Sequence, residues 1–162
     1  MKIFIFKKTN HVTLLLVLFL SCSSTNEETS IEPLNNDFAK IVSVEVSGSE
    51  NTYTFNVGIQ SPDKGCSQYA NWWEVLSENG DLIYRRILGH SHVNEQPFVR
   101  SGGVVAITKD QIVIVRAHMN NSGYGTQTFK GSVANGFTSF TFEKDFAKVL
   151  ETQEPLPTGC AF

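Results

Sequence analysis

The sequence lacks the short motifs that mark common catalytic and nucleotide-binding sites. It contains no G-x-S-x-G nucleophile elbow, no P-loop and no H-E-x-x-H zinc motif, and each of these motifs places its reactive groups through a fixed spacing. Internal repeats are absent, as is the alternation of strand and helix patterns that an α/β fold requires. A chain of 162 residues without these features is long enough for one domain with one core.

The main apolar run is too short to cross a membrane. Val12–Leu20 has nine residues, whereas a membrane-spanning helix needs about 20. Lys2, Lys7 and Lys8 precede this run, and Ser21 follows it. A basic segment, a short apolar segment and then a small residue are typical of a secretory signal peptide, which we predict over residues 1–21.

Ser21 followed by Cys22 at the end of the apolar run resembles the lipobox of bacterial lipoproteins. The resemblance covers residues 1–22 only. It implies that Cys22 becomes the lipidated first residue of the mature chain, anchored in the cell envelope and facing the periplasm or the cell exterior. The alternative is an ordinary signal peptide cleaved nearby, which would leave Cys22 as a spare thiol.

The segment that follows the signal peptide has few large apolar side chains. Residues 22–37 are mostly polar and acidic, and such a segment cannot bury enough surface to offset the entropy lost on ordering. We predict a flexible tether over residues 22–37 and a globular domain over residues 38–162.

Basic residues are scarce in the predicted mature chain. Cleavage before Cys22 removes three lysines and no acid, which leaves 10 basic against 16 acidic residues and a net charge of −6. A net-acidic protein is unsuited to binding nucleic acid or to broad electrostatic adhesion to anionic lipid. Membrane attachment is therefore expected from the acyl chains alone.

Cysteine is also scarce, with three in the chain. If Cys22 carries lipid, Cys66 and Cys160 remain as an even pair in an oxidising compartment, which predicts a disulfide. It would close a loop of 94 residues, worth about 4–5 kcal/mol in the chain-entropy model. The alternative, two thiolate ligands for a metal, lacks the short C-x-x-C spacing of most zinc sites.

Apolar and polar residues alternate with a period of two through much of the chain, which is typical of half-buried strands. Turn residues separate these runs at intervals typical of all-β domains. Strands are expected near residues 42–46, 53–59, 71–76, 81–88, 104–107, 111–118 and 126–133. The pattern predicts a single antiparallel β-sandwich of immunoglobulin-like type, with a small β-barrel or jelly roll as the alternative.

The C-terminal part of the chain has a different period. Phe142, Phe146, Val149 and Leu150 follow the i, i+4, i+7, i+8 spacing of one helix face. This spacing predicts a short amphipathic helix of two to three turns, which Pro155 would end.

Only 18% of the residues are charged, yet three arginines, two histidines and a glutamate fall within residues 83–103. His90 and His92 are one residue apart, so that both side chains share a face of an extended chain. With His118 from a neighbouring strand they would form a three-nitrogen site for zinc or copper, to which Glu95 could add a carboxylate. The alternative is that His90 and His92 lie in a polar loop and that His118 ends a strand.

The arginines support a second hypothesis. Arg86, Arg100 and Arg116, with the histidines and Glu95, would form a cationic pocket for a small anion, because guanidinium groups match carboxylate and phosphate oxygens. Counting along the strands places Arg86 and Arg116 on shared faces and directs Arg85 away from them.

Trp72 and Trp73 are adjacent and must point to opposite faces of a strand. One is expected in the core of the sandwich and the other on the outer face beneath the C-terminal helix. If the outer tryptophan were exposed, it would offer a stacking platform for sugars.

These observations favour an extracytoplasmic, lipid-anchored binding module over an enzyme, with a metal or a small anion as its ligand. The first alternative is a metal-dependent hydrolase that uses His90, His92 and His118 with Glu95 as base. The second is a structural or carbohydrate-binding protein of the envelope. The fold alone does not choose among them.

Overall fold

The computed structural model describes residues 37–161. The predicted signal peptide, the lipidation site Cys22 and the predicted tether up to residue 36 lie outside the described residues, so the proposed domain boundaries stay predictions. Within the part of the chain that is described, no helix is both long enough and apolar enough to cross a membrane.

Nine strands make up about half of the described chain. They are β1 (Lys40–Ser47), β2 (Tyr53–Gln60), β3 (Ala70–Ser77), β4 (Leu82–Ile87), β5 (Phe98–Val105), β6 (Val113–Met119), β7 (Gly123–Tyr124), β8 (Gln127–Ser132) and β9 (Gly136–Thr141).

The strands form two antiparallel sheets. One has the order β1-β2-β5, and the other has the order β4-β3-β6-β8-β9, with β7 also paired to β6. The neighbours β2–β5 and β3–β6 are those of an immunoglobulin-like sandwich. The predicted antiparallel β-sandwich is therefore confirmed, and neither sheet of the described chain closes into a barrel.

The core lies between the two sheets and follows from the period-two pattern. Strand β2 turns every second side chain inward, as its sequence predicts. These side chains meet the inner faces of β3 and β6, and each fully buried aliphatic or aromatic side chain contributes about 1.5–3 kcal/mol. The facing residues include Phe55, Val57, Ile59, Trp73, Val75 and Val115.

Strands β3 and β6 are buried on both faces. Every residue of β6 and all but the last of β3 are buried. A strand in a two-layer sandwich normally leaves one face in water, so a further layer must cover the outer face of this sheet. Residues 142–161, here called the C-terminal segment, provide that layer.

The C-terminal helix is shorter than the apolar spacing predicts. It is a single 3-10 turn over Lys148–Thr152. Phe142, Phe146 and Leu150 nevertheless form a small second core with Leu76 and Ile114 on the outer face of the sheet. Val149, which the periodicity assigned to the same apolar face, is 76% exposed.

A disulfide between Cys66 and Cys160 ties the end of the C-terminal segment to the loop that joins β2 to β3. The two Cα atoms lie 5.7 Å apart, and the bridge confirms the predicted pairing.

Replacing both Cys66 and Cys160 with serine should lower the free energy of unfolding by about 4–5 kcal/mol, because the unfolded chain regains the entropy of a long open loop. Urea denaturation of the double variant, followed by tryptophan fluorescence, measures the loss. An unchanged midpoint and slope would contradict the expectation.

Candidate functional site

A buried carboxylate joins three strands on the outer face of the six-stranded sheet. Glu74 of β3 is the cross-strand neighbour of Arg85 on β4 and of Arg116 on β6, so the three side chains share one face. Arg85 Nε donates to Glu74 Oε2 at 2.7 Å, and Arg116 Nε donates to Glu74 Oε1 at 2.8 Å. All three residues are buried.

The remaining guanidinium donors bind the C-terminal segment. Arg85 donates to three of its main-chain carbonyl oxygens and Arg116 to two, at 2.5–3.1 Å. The accepting carbonyls belong to Leu150, Gln153 and Pro155 for Arg85, and to Phe146 and Ala147 for Arg116. The arginines thus donate to main-chain carbonyl oxygens. In a longer helix these oxygens would accept hydrogen bonds from the helix's own N–H groups.

Aromatic rings complete the surroundings of the two arginines. The guanidinium of Arg85 lies 4.5 Å from the centroid of the Trp72 ring, and that of Arg116 lies 3.4 Å from the centroid of Tyr124. One carboxylate cannot neutralise two guanidinium groups. The carbonyl dipoles and the negative ring faces therefore help to stabilise the remaining positive charge.

The predicted facing of the arginines is wrong. Arg86 pairs across the strands with Trp73, on the side of the sheet opposite to Arg85. It is exposed, and its Nε donates to Ser101 O of β5 at 3.2 Å. The sequence count was in error because it lacked the register between strands, which places Glu74 opposite both Arg85 and Arg116.

The predicted cationic pocket is not assembled among the described residues. Arg116 is buried against Glu74, whereas Arg86 binds a main-chain carbonyl elsewhere. Arg100 forms a largely exposed pair with Glu95 at 2.7 Å, and its hydrogen bond and charge lower the pKa of the Glu95 carboxyl. Each of these arginines already has a partner, so a small anion at this set stays an untested hypothesis.

His90 and His92 contact each other, with ring centroids 4.4 Å apart, but their surroundings differ. His90 is exposed. His92 is buried, stacks on Phe98 at 3.8 Å, and has no hydrogen-bond partner at either ring nitrogen. Burial is the main cause that lowers the pKa of His92 to about 4, with Arg100 and His90 adding to the effect.

Asp63, which the sequence did not single out as a site residue, organises the loop that carries these histidines. Its Oδ2 accepts the His92 main-chain N–H at 2.7 Å, while its Oδ1 accepts the Ser61 hydroxyl and the Ala70 N–H. The carboxylate therefore links the β2–β3 loop to the β4–β5 loop. The Ser-Pro-Asp turn was the only sequence feature that pointed to it.

His118 lies in a different environment, on the outer face of β6. Its ring stacks on Trp72 with centroids 3.6 Å apart and an interplanar angle of 6°. Its Nδ1 lies 2.7 Å from Asn71 Oδ1. Because that oxygen only accepts hydrogen bonds, Nδ1 carries the proton, which leaves a lone pair on Nε2.

Glu151 of the C-terminal segment faces this lone pair. Its Oε1 lies 3.8 Å from His118 Nε2, too far for a hydrogen bond. Burial, followed by the charges of Arg85 and Arg116, lowers the pKa of His118 to about 3, so the imidazole is neutral near pH 7. Two hydrogen-bond acceptors therefore face each other without a donor between them.

The predicted three-histidine metal site has no complete ligand set in the described chain. Residues 37–161 contain no group of three or more histidine, cysteine, aspartate or glutamate side chains arranged to hold a metal ion. His90 and His92 contact each other, whereas His118 contacts Trp72 and Tyr124. Zinc or copper binding by the three histidines stays a hypothesis that this geometry does not support.

An open cleft lies between the outer face of the six-stranded sheet and the C-terminal segment, with a volume of about 540 Å³. We call it the His118 cleft. Trp72 also lines it, and the buried Trp72 Nε1–H has no hydrogen-bond partner. The other lining residues are Cys66, Tyr69, Asn71, Asn120, Glu151, Leu156, Pro157, Thr158, Gly159 and Cys160.

The two tryptophans occupy opposite faces, as the sequence predicts. Trp73 is fully buried in the core, and Trp72 lies on the outer face, only 3% exposed. One face of the Trp72 ring meets His118, and the guanidinium of Arg85 also lies over the ring. Trp72 therefore does not offer the exposed stacking platform that would have favoured sugar binding on a flat surface.

The sequence missed Glu74, which holds Arg85 and Arg116, and Glu151, which lines the cleft. A glutamate within the apolar run of β3 was the available clue to Glu74, because a carboxylate on a buried strand needs a cationic partner. Glu151 offered no such clue, since it becomes part of the site only when the C-terminal segment folds back over the sheet.

The chain is similar to a protein named "Putative lipoprotein" from Halomicrobium mukohataei, with 33% identity over 113 residues. The match covers 69% of this chain and 56% of the relative, so the chain spans little more than half the length of the protein it matches. No protein-family model matches the sequence, and no solved structure matches it significantly.

Replacing Glu74 with glutamine should destabilise the fold by about 3–5 kcal/mol, because two buried guanidinium groups lose their shared carboxylate. Urea denaturation measures the loss. The control is Glu78→Gln, which breaks a partly exposed pair with Lys130 and should cost no more than about 1 kcal/mol. Equal effects of the two changes would contradict the proposed importance of the buried pair.

Stability should fall as the pH is lowered from about 6.5 towards 4. Unfolded histidine has a pKa of about 6.5, whereas that of folded His92 is about 4. The unfolded chain therefore binds more protons in this window, which favours unfolding. Urea denaturation at about pH 7.5 and 5 should show a smaller fall for His92→Phe, which keeps a ring against Phe98 but cannot titrate. An identical fall in the variant would contradict this assignment.

Proposed function

We propose that the protein is a lipid-anchored binding module of the cell envelope that takes a small ligand in the His118 cleft. The Ser21-Cys22 sequence and the lipoprotein name of the relative support the anchor. The domain would face the periplasm or the cell exterior, on the far side of the membrane from the cytoplasm.

The observation that carries the binding proposal is the set of unsatisfied polar groups at the cleft. His118 Nε2 and the Glu151 carboxylate accept no hydrogen bond from the described residues, and the Trp72 indole N–H donates none. The Trp72 N–H is a buried polar group without a partner, and such groups often mark a functional site. His118 Nε2 and the partly exposed Glu151 carboxylate are open to the cleft, where a ligand could donate to them.

The site is held rigidly before any ligand arrives. The disulfide fixes the wall at Cys160, and the bonds from Arg85 and Arg116 to main-chain carbonyls hold the rest of the C-terminal segment over the sheet. A preformed site avoids part of the ordering cost of binding. This favours recognition of one ligand geometry over adaptation to many.

Binding is better supported than hydrolysis. The metal-dependent hydrolase needs a three-histidine centre with Glu95 as its base. Among residues 37–161 that centre has no ligand set, and Glu95 is paired with Arg100. His118 is a poor general base near pH 7 because its pKa is about 3.

The anchor can be tested by replacing Cys22 with alanine. Without the acylated cysteine, the protein should move from the membrane fraction to the soluble extracytoplasmic fraction. Thr25→Ala, a change in the same segment that spares the cysteine, is the control and should leave the distribution unchanged. Continued membrane association of the Cys22 variant would refute the lipid anchor.

The cleft can be tested with a chemically mixed fragment library. Binding should shift the NMR signals of the His118 imidazole Cε1–H and the Trp72 indole N–H, while those of Trp73 in the core stay in place. If fragments of every charge and polarity class leave the cleft signals unmoved, the protein does not bind small ligands there.

A further inference from the structure

The charges around the His118 cleft balance one another. Arg85 and Arg116 contribute two positive charges, while Glu74 and Glu151 contribute two negative ones. Glu74 pairs with both guanidinium groups, and Glu151 faces His118 at the cleft. These four charges sum to zero, so they leave no excess charge to attract a charged ligand.

The facing acceptors determine what the ligand must carry. His118 Nε2 and Glu151 Oε1 lie 3.8 Å apart, and each needs a donor. A single hydroxyl has one hydrogen and cannot serve both. Two hydroxyls on neighbouring carbon atoms can, because their oxygens lie close together while their O–H bonds point to separate acceptors.

An ammonium group also has enough hydrogens, but its charge counts against it. Arg85 and Arg116 stand close enough to oppose the protonation of His118, and they would oppose another cation in the same place. A neutral diol meets the two acceptors without that penalty.

Trp72 adds no donor that a ligand in the cleft can reach, because its Nε1–H is buried. Leu156 and Pro157 add apolar surface to the cleft, against which the C–H groups of a ring could pack. A sugar ring combines hydroxyl donors, oxygen acceptors and C–H faces within one small molecule.

Gly123 leaves room for the Glu151 carboxylate. A Cβ atom at Gly123 would lie 2.7 Å from Glu151 Oε1, so the carboxylate would have to shift if another residue stood there. Gly123 also has φ +80°, which favours glycine. The position of the carboxylate thus depends on two distant parts of the chain that meet at the cleft.

We infer that the His118 cleft binds neutral pyranose saccharides, with two neighbouring hydroxyls donating to His118 Nε2 and to the Glu151 carboxylate. The inference rests on the proposed binding function and specifies its ligand class. It differs from stacking on an exposed tryptophan, because the Trp72 ring is covered by His118 and Arg85.

The test uses the full chain in a detergent without a sugar headgroup and the methyl glycosides of glucose, mannose and galactose as probes. Saturation-transfer NMR should detect binding of at least one glycoside, with the largest effects on its ring hydrogens. The same glycoside should shift the His118 and Trp72 signals in the protein spectrum. Methylammonium and acetate serve as charged probes and should bind much more weakly.

Glu151→Ala removes one acceptor and should weaken glycoside binding by about tenfold or more, as expected for a hydrogen bond to a charged group. Glu143→Ala is the matched control, because Glu143 is an exposed acid of the same segment that does not line the cleft. It should leave the affinity unchanged. The far-ultraviolet circular dichroism of both variants should match that of the parent protein.

Three results would overturn the saccharide assignment: no glycoside binds, Glu151→Ala binds as well as the parent, or methylammonium binds in preference. If library fragments still shift the His118 and Trp72 signals, the proposed binding function stands and only its ligand class is wrong. If neither glycosides nor fragments act on the cleft, both proposals fail together.

Discussion

The structure depends on one buried carboxylate, Glu74, held between the guanidinium groups of Arg85 and Arg116. This contact spans three adjacent strands, and its spare donors bind five carbonyl oxygens of the C-terminal segment. A buried ion pair is often no more stabilising than apolar packing, but breaking it is costly. Here its geometric consequence is clear, because it positions the segment that forms the wall of the cleft.

The ionisable residues close to Arg85 in the sequence lie in separate parts of the fold. Residues 83–103, which hold much of the ionisable chemistry of the chain, do not form one site. Arg85 turns outward to Glu74, Arg86 binds the edge of the other sheet, and His92 packs on Phe98 in a loop that Asp63 holds in place. The polar groups on which the binding proposal rests lie instead where His118 meets the C-terminal segment. Charged residues that cluster in the sequence can thus serve separate structural purposes, while the candidate site uses groups that are distant along the chain.

The predictions succeeded where local pattern was sufficient. The period of two located six of the strands and predicted the sandwich, but it placed β5 at residues 104–107 and missed β7 and β9. The pairing of Cys66 with Cys160 was predicted correctly. The errors arose where contacts between distant segments decide the outcome. The apolar spacing of Phe142, Phe146 and Leu150 identified residues that do pack on the sheet, yet these residues form no α-helix. The facing of Arg85 and Arg86 depended on a cross-strand register that a single strand does not encode.

The sequence by itself determined the class of the domain, the pairing of Cys66 with Cys160 and the opposite facing of Trp72 and Trp73. The class and the facing of the tryptophans follow from short-range rules, namely alternation along a strand and the geometry of adjacent residues. The cysteine pairing follows from the even number of cysteines that remain when Cys22 is set aside. Only the tertiary structure decided that Glu74 pairs with two arginines, that His118 separates from His90 and His92, and that Glu151 faces His118. These contacts depend on strand register and on the folding of the C-terminal segment over the sheet, because side chains far apart in sequence meet only when those long-range pairings form.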